Sequence, residues 1–119
     1  MNHLELGSEG ESRALNFLQS NGHEILETNF KWKRGEIDII SLNKGKLVVT
    51  EVKTRNSEAL GSPVLSITKR KQKQIISITN QFVKERNLLK DVRFDVVLIV
   101  LNKYRYTIEH IEDAFYPIV

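Results

Sequence analysis

Apolar residues recur at helical spacing in two stretches of this chain and at strand spacing in five others. Ala14, Leu15 and Leu18 form a stripe that predicts a helix over residues 8–21. Ser8 is its expected N-cap, Glu11 the capping-box partner, and Asn21-Gly22 the stop. Ile75, Ile78, Phe82 and Val83 form a second stripe and predict a helix over residues 68–87. Strands are expected at residues 24–30, 35–42, 46–54, 93–101 and 104–110, where Val, Ile and aromatic residues concentrate. A short tail through Ala114 and Phe115 follows the last strand. Residues 55–67 contain Gly61, Ser62 and Pro63 and read as a loop. The order α-β-β-β-α-β-β predicts one α/β domain over residues 1–119, a mixed β-sheet flanked by helices.

The second and third strands break their own apolar pattern with charge. Glu36 and Asp38 alternate with Ile37 and Ile39, and Glu51 and Lys53 flank Val52. With Lys44-Gly45 as a two-residue hairpin loop, Asp38 falls opposite Glu51 and Glu36 opposite Lys53. Ile40 then faces Val49, and Leu42 faces Leu47. Period-two alternation puts these eight residues on one face, apolar near the turn and charged at the far end. Two carboxylates directly opposite one another repel. A divalent cation between them turns repulsion into coordination, and hard oxygen ligands are what Mg²⁺ prefers. The spacing predicts Asp38 and Glu51 as ligands of Mg²⁺, with Mn²⁺ as a substitute, and the Val52 carbonyl as a further donor. Lys53 would orient water or stabilise negative charge in the transition state. Glu11 would reach the site from the first helix, and Glu36 would support it.

Charge distribution adds a substrate class. The formal net charge is only +3, but residues 31–73 hold 11 Lys and Arg against 4 Asp and Glu, surrounding the acidic motif with positive charge. That arrangement suits a polyanion steered to a metal site. Lys31, Lys33, Arg34, Arg55, Lys69, Arg70, Lys71 and Lys73 are the expected nucleic-acid contacts. The crowding of Lys69, Arg70, Lys71 and Lys73 at a helix start opposes the helix dipole, a local cost that points to function. Trp32, Tyr104 and Tyr106 are either base-stacking residues or partly buried anchors.

Several other classes are excluded or unsupported. The chain has no cysteine, which removes disulfides and thiolate metal sites and fits a cytoplasmic protein. No signal peptide is evident at Met1-Asn2-His3-Leu4-Glu5. Val96 to Leu101 is the longest apolar run and is too short to span a bilayer, so no membrane partner is expected. His3, His23 and His110 lack metal-ligand spacing. His23 reads as a turn residue and His110 as a strand-end polar residue, while Arg93 and Asp95 read as a structural pair. Gly7 and Gly10 follow no strand, so a dinucleotide fingerprint fails.

The ordered set Gly7-x-x-Gly10-Glu11-x-x-Ala14, Asn29, Gly35-Glu36-Ile37-Asp38-Ile39-Ile40, Glu51-Val52-Lys53-Thr54-Arg55, Lys71-Gln72, Arg93-Phe94-Asp95-Val96-Val97 and Ala114-Phe115 resembles the YraN family of small bacterial proteins. The resemblance covers nearly the whole chain. It implies a fold similar to archaeal Holliday junction resolvases and restriction endonucleases, with a PD-(D/E)XK core. It places Glu11, Asp38, Glu51 and Lys53 at the active site, and turns Lys71 and Gln72 toward that site or the nucleic acid. Thr50 stands where the family often has a bulky apolar residue, a change expected to affect packing. The resulting expectation is a Mg²⁺-dependent nuclease acting on DNA, whether branched, nicked, damaged or single-stranded, or on RNA. The alternatives are a non-catalytic nucleic-acid-binding module or an assembly subunit on the same fold. Symmetric cutting of two strands would favour a homodimer.

Overall fold

Asn2, rather than Ser8, starts the first helix. In the computed structural model, which describes residues 2–56, 67–101 and 105–116, α1 spans His3–Ser20. The Asn2 side chain accepts from the Glu5 N–H and donates to the Glu5 carboxylate, both at 2.8 Å. Asn2 is thus the N-cap, so Ser8 and Glu11 lie inside α1 and Glu11 is free of any capping duty. Beyond α1 run β1 (Glu24–Trp32), β2 (Gly35–Asn43), β3 (Lys46–Arg55), α2 (Lys69–Arg86), β4 (Val92–Leu101) and β5 (Tyr106–Phe115). Residues 114 and 115, expected in a tail, therefore end a strand. The expected loop around Gly61, Ser62 and Pro63 and the aromatic Tyr104 lie outside the described residues.

The five strands form one mixed sheet in sequential order, β1-β2-β3-β4-β5. Only β3 and β4 are parallel, because α2 carries the chain between them; the other neighbours are antiparallel. One face packs on α1 through Ala14, Leu18, Ile39, Val97 and Ile99. The other packs on α2, where Ile75, Ile78 and Phe82 meet Ile37, Ile40, Leu47, Val49, Phe94 and Val96. Covering both faces explains why Leu47 to Glu51 are all buried, and why β3 reads as a nearly continuous apolar run.

Lys44 and Gly45 both take positive φ, 51° and 77°, the geometry of a two-residue hairpin that matches strand twist. The expected register holds from the turn to Ile39↔Thr50, including Ile40↔Val49 and Leu42↔Leu47. It stops there. Asp38 and Glu51 are not ladder partners, and neither are Glu36 and Lys53. The reason is a local reversal in β2: Ile39 packs on the α1 side, whereas Ile37 and Ile40 both pack on the α2 side. Strict alternation would put Ile37 and Ile39 on the same face. The strand turns over by one step at Asp38, so the eight residues expected on one face do not share one.

Candidate functional site

The reversal at Asp38 opens a fork between β2 and β3, and the acidic residues gather there. Asp38 Oδ2 accepts a 2.8 Å hydrogen bond from the Val52 N–H. With the β2–β3 ladder ended at Thr50, this carboxylate takes the place of a strand carbonyl. β1 is irregular at the same level. Asn29, between the pairs Thr28↔Ile39 and Phe30↔Ile37, has φ of 52°, a conformation asparagine tolerates better than most residues. Its Nδ2 donates to Glu36 Oε1 at 2.8 Å and to Glu11 Oε2 at 3.3 Å, tying α1 to β2.

Glu11 comes close because the preceding residue has no side chain. A Cβ on Gly10 would collide with the Thr54 side chain, so α1 lies directly on β3. One oxygen each from Glu11, Glu36 and Asp38 then falls within 4.8 Å of the others. Glu51, a fourth acid, stands outside this triad. It is 5% exposed, and its buried Oε1 has no hydrogen-bond partner among the described residues. By alternation it follows Leu47 and Val49 on the α2 side of β3. A small cavity beside the cluster, about 130 Å³, is lined by Leu6, Gly7, Glu11, Val52, Lys53 and Thr54.

The electrostatics follow from this crowding. Burial, the Glu51 charge and then Glu11 raise Asp38 to about 8, against a smaller downward pull from the Val52 N–H. Burial also raises Glu51; Lys71 and Lys53 pull it down, and Glu11 and Glu36 push it up. Asp38, raised in this way, holds its proton at neutral pH unless a cation takes its place. The donors of the cluster are all hard oxygens, the set that fits Mg²⁺ or Mn²⁺.

The remaining expected residues divide into two groups. Lys71, near the start of α2, acts on Glu51, and Thr68 caps that helix by accepting from the Lys71 N–H. The first turn of α2 contains no acid. Lys69, Arg70 and Lys73 are exposed there, as are Lys31, Lys33 and Arg34 around the β1–β2 turn, and Arg55 is half-buried at the end of β3. Gln72 instead donates its side-chain amide to the Ile67 carbonyl at 3.1 Å, which anchors the entry to α2. Asn29 is the residue that pattern reasoning left without a role. Its only local signal was a turn-forming residue inside a strand.

A second polar cluster lies between β4 and β5. Asp95 is fully buried and receives two 2.9 Å hydrogen bonds from Arg93, one of 2.7 Å shared with His110 Nε2, and one of 3.2 Å from the Asp113 N–H. Glu112 also approaches Arg93, at 3.4 Å. Burial pushes Asp95 up, but His110, Arg93 and the Asp113 N–H outweigh it and hold the group below the ordinary carboxylate range. His23 is buried rather than a turn residue, and shares a 2.8 Å hydrogen bond with Ser41. Its pKa is lowered by burial and by His110 and Arg93. The expectation of a structural Arg93–Asp95 pair holds. His110 lies within β5 and belongs to the same network.

Among the described residues, no helix is long and apolar enough to cross a membrane. Residues 10–99 match the profile described as "Uncharacterised protein family UPF0102". A UPF0102 protein of Christiangramia forsetii is 39% identical over 96% of this chain and 96% of its own length. One from Clostridium botulinum is 42% identical over 93% of both chains, and one from Thermodesulfovibrio yellowstonii is 40% identical over 98% of this chain and all of its own. The chain belongs to the UPF0102 family.

Proposed function

We propose that this UPF0102 protein is a metal-dependent nuclease that hydrolyses phosphodiester bonds in DNA. The observation carrying this reading is the convergence of Glu11, Glu36 and Asp38 to within 4.8 Å beside buried Glu51. Such a group is costly to keep charged. It becomes favourable when a divalent ion is the intended partner. On this reading the sheet and its two helices are a restriction-endonuclease-like PD-(D/E)XK core. The element order and the positions of Asp38 on β2 and Glu51 and Lys53 on β3 support it.

Asp38, Glu51, Glu11 and Glu36 would hold Mg²⁺, which supplies positive charge for the developing phosphoryl oxygens and acidifies water. The Val52 N–H fixes the orientation of Asp38, and Asn29 fixes that of Glu36 and Glu11. The charges of Lys71 and Lys53 pull Glu51 down, and the same ammonium groups would stabilise charge on the scissile phosphate. Lys31, Lys33, Arg34, Arg55, Lys69, Arg70 and Lys73 hold neighbouring phosphates.

The test is a cleavage panel in Mg²⁺ or Mn²⁺ with duplex, single-stranded, flapped and four-way-junction DNA and with RNA, run beside Glu51→Ala. Cutting that requires metal and disappears in the variant supports the nuclease. Equal DNA binding by both proteins with no cutting of any substrate would move the reading to a non-catalytic binding module.

A further inference from the structure

On the α2 side of the sheet, the side on which Glu51 lies, is an open groove of about 690 Å³. Trp32, Lys33 and Arg34 line it from the β1–β2 turn, and Gln74, Ser77 and Ile78 line it from α2. The groove exists because residue 35 is glycine: a Cβ there would strike Ile78 and press on Gln74. Its size lies within the range of small-ligand sites, roughly 300–1,000 Å³. The lining is mainly apolar at the centre, and two cations, an amide and a hydroxyl stand at the rim.

We propose that this groove receives an unpaired nucleotide of the nucleic acid bound at the carboxylate site. The base would lie against Trp32 and its phosphate against Lys33 and Arg34. The inference rests on the nuclease reading for its choice of ligand. Three features favour this occupant. Trp32 is half-buried, so its indole is held in place, and a fixed aromatic plane stacks any base at about 1–3 kcal/mol. The Lys33 ammonium lies over the Trp32 ring, 4.5 Å from its centre, so an incoming phosphate would draw the cation off the indole as the base takes its place on the ring. Gln74 carries both a donor and an acceptor, and Ser77 a hydroxyl, so the edge of a base finds partners without a strict sequence code.

The groove shares the α2 side of the sheet with Glu51. Gly35 lines it, and the next residue, Glu36, belongs to the acidic triad on the opposite face of the β1–β2 ribbon. On α2, Lys71 acts on Glu51, and Gln74 lies about one helical turn further on. A strand crossing the carboxylates therefore meets the groove with its adjacent nucleotide. A base inside an intact stack cannot enter, which selects single strands, flaps and the unpaired positions of branched or damaged duplex.

Trp32 is the only tryptophan in the chain, so its fluorescence reports on this groove alone. The full-length protein is titrated in EDTA with a single-stranded DNA oligonucleotide, an RNA of the same sequence, and an abasic DNA of equal length, with anisotropy of an end label read in parallel. The expected result is quenching by the base-bearing strands and none by the abasic strand, which binds at least fivefold more weakly. Ser77→Phe, an exposed change that fills the groove, should bring base-bearing DNA down to the abasic affinity and leave the abasic affinity unchanged. Equal affinity for both DNAs without quenching, or no binding of either, overturns the proposal. Quenching by RNA alone keeps the groove but reassigns its ligand. Because no metal is present, the result is independent of cleavage. Quenching without any metal-dependent cutting would sink the nuclease reading and spare the groove; cutting without quenching would do the reverse.

Discussion

Asp38 and Asp95 both sit within β-strands, and each belongs to a triad whose ligating atoms lie within 4.8 Å of one another. Their acidities nevertheless move in opposite directions. Asp95, with neighbours His110 and Glu112, also has the Arg93 guanidinium bound through two hydrogen bonds, and is held below the ordinary range. Asp38, with neighbours Glu11 and Glu36, has one backbone N–H and a third acid, Glu51, and rises to about 8. A buried acid whose counter-charge comes from its own chain is complete and serves the fold. A buried acid surrounded by other acids is incomplete until something external supplies positive charge. Proximity of acids alone does not separate the two clusters; the accounting of cations does.

The strongest way to break this contrast is to strip the complete cluster of its cation. Arg93→Ala should destabilise the protein by about 3–5 kcal/mol, since it leaves a buried charge without a partner. Glu51→Gln, which removes a like charge from the other cluster, should leave metal-free stability unchanged or raise it. Urea unfolding of both variants in EDTA measures the difference, and a smaller loss for Arg93→Ala than for Glu51→Gln would end the comparison.

Acidity offers the next test. Folded Asp38 keeps its proton to about pH 8, whereas an ordinary aspartate releases it near 3.8. The folded state thus binds the extra proton between those values, and the Asp38 contribution to metal-free stability falls as pH rises through that window. Asp95 behaves oppositely: its contribution is present above the ordinary carboxylate range and is lost as pH falls through its lowered value. A divalent ion must displace the Asp38 proton, so Mn²⁺ affinity should climb by about tenfold per pH unit up to about pH 8 and then level off. Asp38→Asn should remove both the binding and the pH dependence. Calorimetric titration across pH 6–9 checks this, and flat affinity over that range would contradict it.

A smaller effect is expected where helix packing brings Glu11 to the other acids. Gly10→Ala must push α1 away from Thr54, costing about 1–3 kcal/mol by overpacking and weakening Mn²⁺ binding. Thermal unfolding with and without Mn²⁺ resolves the two parts: a loss of stability with unchanged metal affinity would remove Glu11 from the cluster. The smallest effect belongs to Thr50, between the clusters in sequence. Its hydroxyl is buried and without a partner among the described residues, so Thr50→Val should stabilise the protein by about 1 kcal/mol without changing metal binding, as read by the urea midpoint. A loss of stability would mean that the hydroxyl has a partner.

Much of the architecture was legible in residue pattern. The strand periodicities, the α2 stripe of Ile75, Ile78 and Phe82, and the Lys44-Gly45 turn are local signals, and each lies where the pattern puts it. The start of α1 was misread because Ser8 and Asn2 both satisfy the capping rule, and only the helix's length on the sheet separates them. The tail at Ala114 and Phe115 was misread because Phe115 stacks on Phe94 of the neighbouring strand, a contact between residues distant in sequence.

Glu36, Asp38, Glu51 and Lys53 were singled out by sequence alone, because charge inside strand-forming segments is costly unless it is used; Glu11 was reached from the first helix. Their arrangement was not determined there. Period-two alternation assumes an unbroken strand, and β2 reverses at Asp38 because β1, with Asn29 in a left-handed conformation, bends beside it. Which acids meet, and which find an arginine, depends on how α1 settles on β3 and how β5 wraps β4. Those are packing outcomes summed over both cores, and no window of neighbouring residues contains them.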